Sequence, residues 1–275
     1  MLQKRINLKS ESNVAFSVDI FFKKQFDENP DPRTWPLVLI FPGGGFVALE
    51  ERESEPIAEA FLARGYQAAI VNYPLMTNAS NTPFYPNGII AGLEAIRYFK
   101  TNASKYNIDS QKIITLGFSA GGHLVALMNS LAADDMRALG FDESIKANAQ
   151  ILGYPVVGLQ MGFPKTIDDA QKISSDKKYW NSNEQVTAKT PPTFIWHTMA
   201  DKVVPVKNTL AYTYALSEAN VPFEYHVFNT FSEGIHGIGL ASNATQRYQH
   251  DEDVNSRVAV WLDLADSWIH KTLSL

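Results

Sequence analysis

From about residue 36 onward, short apolar runs rich in β-branched residues alternate with longer segments of helical pattern. This order restricts the chain to an α/β fold: a mainly parallel central sheet with helices on both faces. The runs that predict strands are 37–41, 67–72, 112–116, 147–152, 193–197 and 223–228, with helices predicted over 53–64, 87–103, 121–133, 207–219 and 254–271. The first 30 residues alternate instead, placing Val14, Phe16, Val18 and Ile20 on one face, which predicts antiparallel edge strands added to the sheet. A 45% hydrophobic content over 275 residues supplies the core of one domain spanning 1–275. One interval breaks the rhythm. Between residues 152 and 193 the chain is rich in Pro, Gly, Lys and Asp, with Tyr154, Phe163, Tyr179 and Trp180 interspersed. A connection that long predicts a small cap-like insertion or pocket wall at about 154–190, against the equal alternative of a solvated insertion.

Composition removes several classes of function. The formal charge of −5 is spread along the chain, with no basic run longer than the Lys-Lys pairs at 23–24 and 177–178, so nucleic acid is not an expected partner. With no cysteine, disulfides, thiolate metal sites and a cysteine nucleophile are all excluded. No residue is assigned to a metal. Residues 1–17 carry Lys4, Arg5, Lys9 and Glu11 and lack the apolar core of a signal peptide. No stretch approaches the roughly 18 apolar residues that span a bilayer. The expectation is therefore a cytoplasmic protein with no membrane partner; a homodimer is left open.

The chemistry begins at Gly117-Phe118-Ser119-Ala120-Gly121, which follows a predicted strand and opens a predicted helix. A serine at so tight a strand-to-helix turn needs glycines on either side, and the helix N-terminus favours developing negative charge beside it. A serine hydroxyl also needs a base to take its proton and a third group to orient that base. In a sheet of this kind both should follow the nucleophile, each in a loop at the carboxyl end of a later strand. Asp201 follows the strand predicted at 193–197, and His236 follows the one at 223–228. The glycine triplet after residues 37–41 offers unobstructed backbone N–H groups, and Gly44 and Gly45, with the Ala120 N–H, are the candidate oxyanion donors. His123 reads as a packing residue, His197 and His226 as strand residues, and His250 and His270 as surface residues. Glu233 is a minor alternative to Asp201, while Asp134, Asp135, Asp168 and Asp169 read as solvated. Phe46, Tyr73, Phe84, Tyr85, Tyr154 and Trp180 are candidates for an acyl slot or a sugar-stacking surface, with ordinary core packing an equal alternative for each.

Phe-Pro-Gly-Gly-Gly-Phe at 41–46, Gly-Phe-Ser-Ala-Gly-Gly-His-Leu at 117–124, Asp201 before Val-Val-Pro, and Gly-Ile-His-Gly at 234–237 together resemble an α/β-hydrolase. More narrowly the chain is similar to the hormone-sensitive-lipase-like and acetyl-xylan- or feruloyl-esterase-like carboxylesterases, including bacterial sugar esterases. Pro42 stands where the His-Gly-Gly-Gly version of the oxyanion motif has histidine, a variant associated with the sugar-esterase-like branch. The resemblance implies a Ser119-Asp201-His236 triad, hydrolysis of a small-molecule ester with a short acyl group, and no cofactor. A serine peptidase of the same fold and a catalytically silent binding protein on a hydrolase scaffold are the other two readings.

Overall fold

In the computed structural model, eight strands form one sheet in the order β1-β2-β4-β3-β5-β6-β7-β8. They are β1 (Leu2–Lys9), β2 (Ala15–Phe22), β3 (Trp35–Phe41), β4 (Gln67–Asn72), β5 (Ile108–Phe118), β6 (Ala149–Gly153), β7 (Thr193–Thr198) and β8 (Phe223–Phe228). The helices are α1 (Glu55–Ala63), α2 (Asn87–Thr101), α3 (Ala103–Tyr106), α4 (Ser119–Ser130), α5 (Ala133–Ala138), α6 (Ile167–Ile173), α7 (Lys207–Glu218), α8 (Glu252–Ala259) and α9 (Trp261–Leu273). The structure describes all residues except 25–32, 77–81, 230–235, 239 and 241–251, and describes 252–255 by backbone alone.

The uninterrupted apolar run of β3 reflects burial on both faces of the sheet. Leu37, Leu39 and Phe41 join the core formed with α2 and α4, while Val38 and Ile40 join the opposite core, packed by α1 and α9. The N-terminal pair is antiparallel, and β2 continues antiparallel against β4. From β4 to β8 every pairing is parallel. Phe16, Val18 and Ile20 are buried on β2 as their alternation requires, whereas β1 is largely exposed and carries Lys4, Arg5 and Lys9 along a sheet edge, charges that discourage pairing with another chain.

Of the boundaries that differ from the sequence reading, three have a clear local cause. Strand β5 begins at Ile108 rather than 112 because polar Asp109, Ser110 and Gln111 are carried into the strand, where Ile108 pairs with Trp35 across an irregularity in register. The helix expected from 53 begins at Glu55, since Glu53 ends a separate 3₁₀ turn and is buried. The C-terminal helix is divided at Val260, next to Trp261, which stacks on Trp196 with ring centroids 5.2 Å apart.

Strand order reverses around β3, with β4 on one side and β5 on the other. The crevice at the carboxyl ends of β3 and β5 is thus the switch point of the sheet, the usual ligand position in open α/β folds. It is narrow because α4 starts against the end of β3. A Cβ at Gly121 would lie 2.1 Å from the Phe41 carbonyl oxygen and 2.5 Å from that of Pro42. Gly121→Ala is expected to destabilise the protein by more than the ~1–3 kcal/mol typical of an overpacked core, because backbone must move. An unchanged urea midpoint for this variant would contradict such close packing.

Candidate active site

Strand β5 delivers Ser119 into a left-handed backbone conformation, φ +50°, at the first position of α4. This is a sparsely populated geometry for a residue with a side chain, and it marks the sharp strand-to-helix turn of a nucleophile elbow. The Ser119 carbonyl accepts the Val156 N–H at 3.0 Å, tying the turn to the chain after β6. Its hydroxyl lies 2.9 Å from His236 Nε2, and His236 Nδ1 lies 2.6 Å from Asp201 Oδ2. The three residues expected from the sequence are therefore linked in one line, Ser119 O–H to imidazole and imidazole N–H to carboxylate. Ser119 follows β5 directly at the head of α4, and Asp201 and His236 lie beyond the ends of β7 and β8. Glu233, the alternative acid, lies outside the described residues.

Asp201 is held on both oxygens. Oδ1 accepts the N–H groups of Val203 at 2.8 Å and Val204 at 2.9 Å, leaving Oδ2 for His236. His197 braces the same turn from the buried side. Its Nε2 lies 2.8 Å from the Val204 carbonyl and 3.4 Å from Asp201 Oδ2, and its Nδ1 lies 2.8 Å from the Thr209 hydroxyl. Burial pushes the Asp201 carboxyl up, but hydrogen bonds from His197 and His236 outweigh it and hold the group below the usual carboxylate range. Asp201 therefore stays ionised at neutral pH.

The loop after β3 passes directly over the nucleophile: a Cβ at Gly43 would sit 2.9 Å from Ser119 Cβ. Its turn closes on the Gly44 carbonyl, which accepts the N–H groups of Val47 at 3.2 Å and Ala48 at 3.1 Å. Gly44 takes φ +124°, and a Cβ there would fall 2.3 Å from the Ala48 oxygen, so glycine is required on both counts. Among the described residues the N–H groups of Gly44, Gly45 and Ala120 have no acceptor. Free donors at this point, one of them in the first turn of α4, are what a developing oxyanion needs.

Of the two readings left open for the aromatic candidates, a substrate surface or core packing, their burial matches the second. Phe46, Tyr73, Tyr154 and Trp180 each expose 2% or less of their surface. Phe46 packs against Phe84, Tyr85, His123 and Phe163, and the Tyr73 hydroxyl donates to the Pro42 carbonyl. Trp180 donates its indole N–H to Ser174 at 2.9 Å, and its own carbonyl bonds His123 Nε2 at 3.1 Å. His123 is a buried packing residue, as read, with Nδ1 2.6 Å from the Tyr85 hydroxyl; burial lowers its pKa to about 4, so it is neutral. Phe84 and Tyr85 are buried too. These rings form the wall behind the site because large apolar surfaces gain more by leaving water than by lining it.

The segment between β6 and β7 carries α6, 3₁₀ turns at Lys177–Tyr179 and Ser182–Gln185, and a bridge between Gly158 and Asn181. It forms one side of a cleft of about 970 Å³ lined by Gly45, Val47, Phe163, Lys165, Asp168 and Lys172 among others. Sequence patterning offered a pocket wall over 154–190 with Phe163 among its aromatics, but it read Asp168 as solvated and singled out neither Lys165 nor Lys172. Among the described residues no cluster of His, Asp and Glu could hold a metal ion, and no helix is long and apolar enough to cross a membrane.

The geometry has close counterparts. The family model described as BD-FAE matches residues 18–216. Endo-1,4-beta-xylanase B of Butyrivibrio fibrisolvens is 31% identical over 81% of this chain, a match covering 36% of that protein. The carboxylesterase Cest-2923 of Lactobacillus plantarum superposes with a TM-score of 0.91 at 32% identity, covering 98% of both chains. The acetyl ester-xyloside bifunctional hydrolase of Caldicellulosiruptor lactoaceticus superposes at 0.72 with 27% identity, over 98% of this chain and 96% of that one. The chain spans half or less of the length of the first curated relatives it matches. With its switch-point serine, its sheet order and this family match, the chain belongs to the BD-FAE family of esterase-type α/β-hydrolases.

Proposed function

We propose that the protein is a serine carboxylesterase that removes short acyl groups, acetyl foremost, from small hydroxylated alcohols such as sugars. The observation that carries this reading is the unbroken line from the Ser119 hydroxyl through His236 to Asp201, at 2.9 and 2.6 Å. In the acylation step His236 Nε2 takes the Ser119 proton as the oxygen attacks the ester carbonyl, and the carbonyl electrons move onto the oxygen. The oxyanion is met by the N–H groups of Gly44, Gly45 and Ala120. Collapse expels the alcohol, which leaves with the proton from His236. Water, deprotonated by the same imidazole, then attacks the acyl-serine and releases the acid. Asp201 holds the imidazole in the tautomer with Nε2 free and stabilises the imidazolium when it forms.

The cleft that Gly45 helps to line supports the choice of alcohol. Its wall mixes apolar Val47 and Phe163 with Lys165, Asp168, Asp169 and Lys172, groups able to bond hydroxyls. The names of two structural or curated relatives, the acetyl ester-xyloside hydrolase and the acetylxylan esterase of Xylanibacter ruminicola, point the same way. Across p-nitrophenyl acetate, butyrate and octanoate, kcat/KM is expected to be highest on the two short esters, and acetylated xylo-oligosaccharides should release acetate. A maximum at octanoate would refute the short-acyl assignment.

A further inference from the structure

Among the described residues two carboxyl groups are buried, Asp201 and Glu53. The acyl-transfer steps use only the first. Glu53 nevertheless has a partner for each oxygen: Oε2 accepts the Gly43 N–H at 2.6 Å, and Oε1 accepts the Tyr154 hydroxyl at 2.7 Å. Gly43 is the point where the oxyanion loop crosses Ser119. Tyr154, itself at φ +35°, sets its ring edge-to-face on the His236 imidazole, with centroids 4.8 Å apart and planes at 71°. Arg52, next in the chain to Glu53, donates to the carbonyl of Gly237, the residue after the base. Its Nη2 also lies 3.8 Å from Glu53 Oε1. One 3₁₀ turn, Glu51–Glu53, thus touches the oxyanion loop, the tyrosine that packs on the base and the loop of the base.

Burying an ionisable carboxyl is costly, and apolar residues of similar volume would serve stability at least as well. A carboxylate in this place instead offers two acceptors to two donors that must be held in fixed directions. We infer that Glu53 is a positioning residue for acyl transfer, setting the Gly44 and Gly45 donors through its hold on Gly43 and, through Tyr154, the plane of the His236 imidazole. This rests on Ser119 acting as the nucleophile. Burial raises the Glu53 pKa, an effect opposed by the Tyr154 hydroxyl, Arg52, the Gly43 N–H and His236; Tyr73 is the other titratable group close enough to be felt. Protonation on acidification occupies a lone pair that one of the two donors needs, so the positioning weakens as pH falls.

Glu53→Ala, Glu53→Gln and Ser119→Ala, assayed on p-nitrophenyl acetate below their melting temperatures, test this. Glu53→Ala is expected to lower kcat by roughly 10- to 100-fold with KM within about twofold, the pattern of misplaced rather than missing catalytic groups. Glu53→Gln keeps one acceptor for Gly43 and can donate to the Tyr154 oxygen, so it should recover much of the loss and shift the acid limb of the kcat profile. Should Glu53→Ala fail to fold, the Gln variant decides alone: wild-type kcat together with an unshifted acid limb overturns the proposal. So does a folded Glu53→Ala enzyme with kcat within twofold of wild type. An active Ser119→Ala enzyme would defeat the nucleophile assignment itself, whereas an inactive one beside an unimpaired Glu53→Ala defeats only the role of Glu53.

Discussion

Ser119→Ala is expected to lower kcat on p-nitrophenyl acetate by roughly 10⁴- to 10⁶-fold while leaving KM nearly unchanged, because the attacking atom is removed and the binding surface is not. The residue is well suited to so clean an experiment. Its side chain is only 6% exposed and makes one strong contact, to His236, so an alanine methyl fits without rearrangement. Relief of the left-handed φ is not available to alanine either, so the elbow should persist with its strain intact. Residual hydrolysis would come from the oxyanion donors and substrate placement. Labelling by a fluorophosphonate should map to Ser119 in the wild type and vanish in the variant. Turnover near wild type, or a label on another serine, would remove the basis of the proposed mechanism.

Asp201→Asn should cost about 10⁴-fold in kcat, an effect out of proportion to one exchanged atom. The reason lies in how the carboxylate is held. Two backbone N–H groups, from Val203 and Val204, point at Oδ1, so an asparagine must keep its oxygen there and turn its NH₂ group towards His236 Nδ1. An N–H facing Nδ1 forces the imidazole proton onto Nε2, where it faces Ser119 and cannot accept the hydroxyl proton. Stability should fall far less than activity, since the packing is unchanged. A crystal structure with the His236 ring in place, beside an enzyme that has lost its turnover, would separate tautomer from displacement. An Asn variant within tenfold of wild type would mean that the orienting acid is a different group.

How much of this could be read from the chain depends on whether a feature leaves a local mark. The alternation of strands and helices does, because burial of both sheet faces shows as apolar runs such as 37–41. Ser119, Asp201 and His236 do as well, since each follows a strand and the glycine spacing around Ser119 is forced by the approach of α4 to Phe41. Strand order left no mark, and with it the placement of the site at the β3/β5 switch point. Glu53 was equally hidden. It sits in Leu49-Glu50-Glu51-Arg52-Glu53-Ser54-Glu55, which reads as a solvated charged run, and only tertiary structure shows that one of its four acidic side chains turns inward. For Tyr154 and Trp180 the sequence left two placements open, a substrate surface or the core, and their burial matches the second. An aromatic residue near a site in sequence is as able to support the catalytic groups from behind as to meet the substrate, and periodicity does not distinguish the two.

The separation of Ser119 from His236 by 117 residues has a consequence during synthesis. The elbow and the glycine loop after β3 leave the ribosome well before Asp201 and His236. At ~5–20 residues per second, this interval lasts roughly 6–23 s. Under the proposed mechanism the serine is throughout it an ordinary alcohol, because the proton acceptor that would activate it has not yet been made. Reactivity thus arrives late in translation, and an unfinished chain is chemically quiet.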